Sequence, residues 1–171
     1  FLEKTVQVRD SKKMSIKARE KTALYMERFK ASDLIDFESA EASVQEIKEI
    51  NILNAATLAM ERALKGLLKR IQKDARLIIL VDGKPLKNFL YEHEAIIGGD
   101  NQSLSIALAS VMAKVNRDQY MTEQGQKFPH FQFHRNKGYG TKVHRMSLRE
   151  YGACEMHREL FVEKTLKSRQ T

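Results

Sequence analysis

The chain has 171 residues, 42% hydrophobic and 30% charged, with 30 Lys and Arg against 22 Asp and Glu and a net charge of +8. That length accommodates one domain with a real core, and only eight Gly and two Pro exclude a collagen, a linker or a low-complexity tail. The single cysteine, Cys154, excludes an internal disulfide and fits a reducing compartment, so a cytoplasmic location is expected.

The opening Phe1-Leu2-Glu3-Lys4-Thr5 lacks the basic start and apolar stretch of a signal peptide. Met14-Ser15 followed by Ile16, Ala23, Leu24 and Phe29 predicts an amphipathic helix running to near Lys30. Leu34 to Phe37 is a short strand candidate. Ser43 and Glu46 have capping-box spacing and open a brief helix to Ile50. Asn54 is placed to cap the next helix, whose apolar positions Ala56, Met60, Ala63, Leu67 and Ile71 recur every three or four residues. Leu77 to Val81 is continuously apolar, the pattern of a strand covered on both faces, yet far too short to cross a bilayer. Ala95 to Ile97 is a second strand, ending at Gly98-Gly99. Ser103 starts a long helix to about Glu123, with Leu104, Ala107, Leu108, Val111, Met112 and Val115 inward. An aromatic and basic loop follows Gly125, then a helix near Lys142 to Glu150 and a polar tail. Strands alternating with helices predict an α/β domain with parallel pairing around Leu77 to Val81. Three short strands are few for so many amphipathic helices, as if a central part of the sheet were missing.

Charge is uneven. From Gly125 onward there are ten Lys and Arg against four Asp and Glu, and four of the five histidines lie there among Phe128, Phe131, Phe133 and Tyr139. Cations interleaved with rings suit a polyanion whose sugars and bases can stack, although composition alone is equally compatible with a solvated basic surface. Asp82 closes the apolar run at the C-terminal end of a strand, where open α/β sheets place their ligands. Gly83 leaves room beside it, although Asp-Gly is also a common turn opener. Asp100 precedes the long helix, where a helix N-terminus favours the charged form that a hard cation requires; it equally reads as an ordinary helix-start acid. The loop Arg135-Asn136-Lys137-Gly138-Tyr139-Gly140-Thr141-Lys142 combines close backbone approach with an available ring and two lysines for phosphates. Asp10-Ser11-Lys12-Lys13 reads either as the approach to a helix or as a phosphate-contacting turn. The histidines have no zinc-ligand spacing, Cys154 reads as a structural thiol, and no Gly-rich phosphate loop is present.

These pieces line up in one order. Asp10-Ser11-Lys12-Lys13-Met14-Ser15, the stretch Ile50 to Met60, Leu80-Val81-Asp82-Gly83, Gly99-Asp100 through Ala107, Ala113 to Asp118, Lys137 to His144 and the late His157-Arg158 together resemble prokaryotic ribonuclease HII over nearly the whole chain. The resemblance implies an RNase H-like fold, a mixed sheet flanked by helices with a C-terminal helical segment. It implies a catalytic domain over 1–125 and a basic, aromatic substrate-binding segment over 126–171, packed on the same domain. The family's first two acids stand in an Asp-Glu-x-Gly-Arg-Gly motif on the first strand, and neither an Asp-Glu pair nor Gly-Arg-Gly occurs in this sequence. The expectation is therefore a chain lacking the family's first two strands, which accounts for the short strand count.

The implied activity is an endonuclease of DNA replication and repair. It cuts RNA within RNA–DNA hybrids and 5′ of single ribonucleotides in duplex DNA, and leaves 5′-phosphate and 3′-hydroxyl ends. Its implied metal ligands and catalytic residues here are Asp82 and Asp100, holding Mg²⁺ or Mn²⁺ for two-metal hydrolysis. By the same resemblance Tyr139 contacts the ribose, whose 2′-hydroxyl separates RNA from DNA, and Lys12, Lys13, Lys137 and Lys142 contact phosphates. The enzyme is expected to act as a monomer away from membranes. Since the Asp-Glu ligands are missing, the alternative is a nucleic-acid-binding fragment without catalysis.

Overall fold

The computed structural model of the chain describes residues 10–72 and 74–167. The N-terminal stretch read for a signal peptide, and the end of the polar tail from 168 onward, lie outside the described residues. The chain divides into two compact units. One comprises the described residues up to Glu41 with Ala56–Val115, the other Ala42–Ala55 with the described residues from Asn116 onward.

In the first unit, helix α1 spans Ile16–Ala31, and Ser15 caps it by accepting the Ala18 amide at 3.2 Å. Its buried residues Arg19, Thr22, Ala23 and Met26 fall three or four apart, on one face. Ala23 and Met26 pack with Met112, and Ile35, Phe37, Leu108 and Val115 close around them. The expected strand at Leu34–Phe37 does not form. Ile35 and Phe37 pack on the helices instead and Leu34 is exposed, while Asp36 takes Lys30 at 2.8 Å and Arg70 at 2.6 Å. Hydrogen bonds from Arg70 and then Lys30 hold the Asp36 carboxyl well below the usual carboxylate range. Exposed pairs of this kind contribute about 0–1 kcal/mol each, so packing of Ile35 and Phe37 is what holds this segment.

Helix α2 spans Val44–Leu68 and carries a break at Asn51, which has φ 65° and ψ 167°. Its start is the expected capping box: Ser43 N donates to Glu46 Oε2 at 2.8 Å, and Glu46 N donates to Ser43 Oγ at 3.1 Å. The second cap is Asn51, not Asn54. Asn51 Oδ1 accepts the amides of Leu53 and Asn54 at 3.0 and 3.2 Å, the bonds of an N-cap side chain to the first free amides of a helix.

Strands β1 (Leu80–Asp82) and β2 (Glu94–Ile96) pair in parallel, Val81 opposite Ala95 and Asp82 opposite Ile96. Parallel pairing is as expected, and the α/β class holds. Leu77 and Ile78, however, lie outside the strand and are exposed, because among the described residues the sheet has only these two strands and cannot cover both faces of a longer run. The crossover between the strands is tied by His93. Its Nε2 accepts the Leu86 amide at 3.1 Å and its Nδ1 lies 3.0 Å from the Tyr91 carbonyl, with its ring edge-on to Phe89. Helix α3 spans Leu104–Lys127. Ala107, Val111 and Met112 are buried as expected, whereas Leu104, in the first turn, is exposed.

The second unit takes the latter half of α3 together with a 3₁₀ turn at Pro129–Phe131, the single-turn helix α4 (Phe133–Asn136), α5 (Lys142–Tyr151) and α6 (Glu159–Lys167). Met121, Phe131 and Phe133 form its core, flanked by Tyr120, Phe128, Cys154 and Met156. The expected polar tail thus contains a helix, with Thr165 buried. Among the described residues no helix is long and apolar enough to cross a membrane.

Candidate functional site

Asp82 stands at the last position of β1, exposed beside a buried Val81. Its Oδ1 accepts the Gly99 amide at 2.8 Å, so the carboxylate is anchored to the segment that carries Asp100. Gly98 takes the left-handed backbone (φ 66°, ψ 34°), and Gly99–Asn101 forms a 3₁₀ turn leading into α3. A side chain at position 99 has no space: a Cβ there would stand 2.6 Å from Ile106 Cδ1 and 3.4 Å from Asp82 Oδ1. Asn101 Nδ2 donates to Asp100 Oδ1 at 2.8 Å, and Gln102 Nε2 donates to the Ile97 carbonyl at 2.7 Å. Asp82 is thereby tied to the residue preceding Asp100, at the C-terminal edge of a parallel pair, the edge at which such sheets bind ligands. Beside Asp82 the space is open, since nothing described lies within 4 Å of where a Gly83 Cβ would be.

As donors, two carboxylates suit a hard divalent cation, and Mg²⁺ in particular is commonly held by one or two carboxylates with water and substrate phosphate completing its shell. Asp82 keeps Oδ2, and Asp100 keeps Oδ2, clear of the hydrogen bonds just described. Among the described residues no group of three or more His, Cys, Asp and Glu is placed to hold a metal.

In the same unit the Asp10–Lys13 turn is built around a buried cation. Arg19 Nη1 donates to the carbonyls of Ser11 at 2.9 Å and Met14 at 2.7 Å. Lys12 N donates to Asp10 Oδ1, Lys13 N to Asp10 O, and Ser11 Oγ meets Ser110 Oγ at 2.8 Å. The backbone is held from inside while the side chains of Lys12 and Lys13 face solvent. Arg19 was not singled out from sequence, because a cation on a helix ordinarily reads as its solvated face.

The second unit holds Lys137, Tyr139 and Lys142 on one loop. Asn136, buried, donates Nδ2 to the Phe131 carbonyl at 2.6 Å and accepts the Gly138 amide on Oδ1 at 2.8 Å. Lys137 is left-handed (φ 50°), and so is Gly138 (φ 82°), where glycine is the residue that bears no strain. Lys137 Nζ donates to Thr122 Oγ1. Thr141 caps α5, accepting the His144 amide at 3.3 Å, and Arg145 donates to the Gly140 carbonyl at 2.6 Å. Lys142 is exposed in the first turn, and the Tyr139 side chain is 64% exposed. The Tyr139 backbone is tightly held: its amide donates to the Asn136 carbonyl at 2.8 Å, and its carbonyl takes the Thr141 amide at 2.8 Å and His144 Nδ1 at 2.9 Å. Sequence reading missed Asn136, His144 and His157 as supports of this loop. The i to i+3 spacing of Cys154 and His157 was the available signal, since Cys154 Sγ lies 3.2 Å from His157 Nδ1.

A family model described as Ribonuclease HII matches residues 2–164. Curated relatives carry the same description. One from Caldicellulosiruptor bescii is 46% identical over 159 residues, covering 93% of this chain and 73% of the relative. One from Fusobacterium nucleatum is 39% identical over 173 residues, covering 99% and 77%. Another, from Ehrlichia ruminantium, is 42% identical over 159 residues, covering 93% and 71%.

Proposed function

The chain belongs to the ribonuclease HII family, and from that premise we propose that it is an endonuclease acting on the RNA strand of RNA–DNA hybrids. We extend the reading to cleavage 5′ of single ribonucleotides in duplex DNA, by two-metal-ion hydrolysis. The observation that carries it is the carboxylate pair: Asp82, at the end of β1, bonded to the Gly99 amide beside Asp100. Asp82 and Asp100 would hold Mg²⁺ or Mn²⁺. A divalent ion there supplies Lewis-acid stabilisation of the scissile phosphate and a water of lowered pKa.

The chain's own residues orient the substrate. Residues 1–125 carry the carboxylates and 126–171 the basic, aromatic segment that grips nucleic acid. Lys12, Lys13, Lys137 and Lys142 neutralise phosphates, which makes binding salt-dependent. Lys137 keeps ammonium hydrogens for a phosphate beyond the one given to Thr122. Tyr139 offers its exposed ring to the ribose, where the 2′-hydroxyl is the group to be read. A monomer in the cytoplasm, working in replication and repair, completes the reading.

A second reading, binding of the same hybrids without cleavage, is favoured by the donor count, since the described residues supply two carboxylates and no larger ligand group. One experiment separates them: a DNA duplex with one ribonucleotide, incubated with Mg²⁺ or Mn²⁺, beside the Asp82→Asn variant. Cutting 5′ of the ribonucleotide that falls by about a hundredfold or more in the variant supports the nuclease. Salt-sensitive binding with no cutting under any divalent ion supports the second reading, and cutting equally well in both proteins overturns the role of Asp82.

A further inference from the structure

Beneath the Tyr139 loop lies a buried chain of polar groups that the reading above does not use. His144 is 2% and His157 8% exposed, and their Nε2 atoms lie 3.0 Å apart. The rings pack against Phe131, Phe133 and Phe161, with centroid separations of 4.6 Å for Phe131–His157, 5.3 Å for Phe133–His144 and 5.1 Å for His144–Phe161. Two imidazoles facing each other in such a setting are costly unless every nitrogen has a matched partner.

The partners determine where the protons are. The Tyr139 carbonyl can only accept, so His144 Nδ1, 2.9 Å away, carries a hydrogen. At the other end the Cys154 amide can only donate, so His157 Nδ1, 3.0 Å away, carries none. The Cys154 carbonyl lies farther from the same nitrogen, at 3.3 Å, and a hydrogen placed on Nδ1 to reach it would stand against the Cys154 N–H. A neutral His157 without a hydrogen on Nδ1 has one on Nε2, and that hydrogen points at His144 Nε2, which is free to accept. Donors and acceptors alternate from the Cys154 amide through both rings to the Tyr139 carbonyl. A proton added to either ring breaks the alternation by setting two N–H groups against each other. Beside the pair, burial holds Cys154 as a thiol, and on α5 Arg145 and Arg149 turn to the carbonyls of Gly140 and Thr165.

We propose that His144 and His157, as an oppositely tautomeric neutral pair, are positioning residues that fix the Tyr139 backbone and thereby set the preference for a ribonucleotide. The first half stands on the hydrogen-bond geometry; the second rests on the proposed contact between Tyr139 and ribose. Burial pulls the pKa of both rings below the ordinary histidine value, and a charge on His144 would lower that of His157 further, in keeping with a pair that is neutral at neutral pH.

The test uses the full chain. Long-range ¹H–¹⁵N spectra of ¹⁵N-histidine protein at neutral pH are expected to show His144 as the Nδ1–H tautomer and His157 as the Nε2–H tautomer. Identical tautomers, or an imidazolium at either position, overturn the proposal without any variant being needed. Anisotropy titrations without divalent ion then compare a duplex carrying one ribonucleotide with its all-deoxy counterpart. His144→Leu is expected to lower the ribonucleotide preference by about three- to tenfold, the equivalent of one hydrogen bond. His144→Asn, whose amide can replace the Nδ1 donor, restores most of it. Equal affinities in the unaltered chain, or a preference that survives Tyr139→Ala, overturn the ribose reading of Tyr139 itself. A preference lost in Tyr139→Ala and kept in His144→Leu overturns the positioning role alone.

Discussion

The carboxylate edge and the Tyr139 loop are held in opposite ways. Asp82 rests on one backbone amide and faces solvent, with Asp100 on a three-residue turn beside it. The Tyr139 backbone is fixed by bonds to Asn136, Thr141 and His144, and behind it lies a buried aromatic and imidazole core. Under the proposed function, the difference follows from what each region would meet. Carboxylates that take a cation stay open because the ion and substrate complete their coordination. A group that discriminates between sugars gains from being ordered beforehand, since then little ordering entropy opposes binding.

That contrast predicts which changes damage chemistry and which damage the fold. The largest effect is expected from Asp82→Asn: cleavage falls by about a hundredfold or more while the thermal midpoint changes little, as loss of charge on an exposed acid removes no packing. Asn136→Ala should do the reverse. It removes both bonds of a buried side chain, destabilises the chain by about 1–3 kcal/mol, and shows in denaturant melts before any assay is run. At the carboxylate edge, Gly99→Ala forces a methyl group against Ile106 and Ile96 and is expected to cost about 1–3 kcal/mol by overpacking; an unchanged midpoint would mean that the Ile106 side chain moves aside without cost.

The two regions should also part on pH. His144 and His157 have folded-state pKa values below the ordinary 6.5, so just below pH 6.5 the unfolded chain binds more protons than the folded one. Stability is therefore complete above about pH 6.5 and is lost as pH falls toward the lowered values. Melting curves between pH 8 and pH 5 should show this loss, and His144→Leu should reduce it. The smallest effect is expected from Lys142→Ala, a uniform weakening of hybrid binding with the slope of log affinity against log salt reduced by about one. An unchanged slope would remove Lys142 from the phosphate contacts.

Much of this was legible in order along the chain. Ser43 and Glu46 announce their capping box, and the apolar run ending in Asp82 marks a strand end. Local spacing suffices there because both partners in each interaction are separated by a few residues. The misreadings arose where distant partners decide. Leu34–Phe37 looks like a strand by composition, but the helices of its unit offer Ile35 and Phe37 a core and Asp36 its cations. The Leu77–Ile78 pair looks buried until the described sheet is seen to hold two strands.

What the sequence by itself determined is the family, the basic and aromatic character of its last third, and the two acids placed at element ends, since motif order and charge are properties of the chain alone. Tertiary structure alone decided that Asp82 holds the Gly99 amide, one residue before Asp100, and that Arg19 is buried beneath the Asp10–Lys13 turn. It also decided that His144, His157 and Cys154 form one alternating chain beneath Tyr139. The reason is physical: the direction of a hydrogen bond depends on what the other end can donate or accept, and that is known only once folding has brought the two ends together.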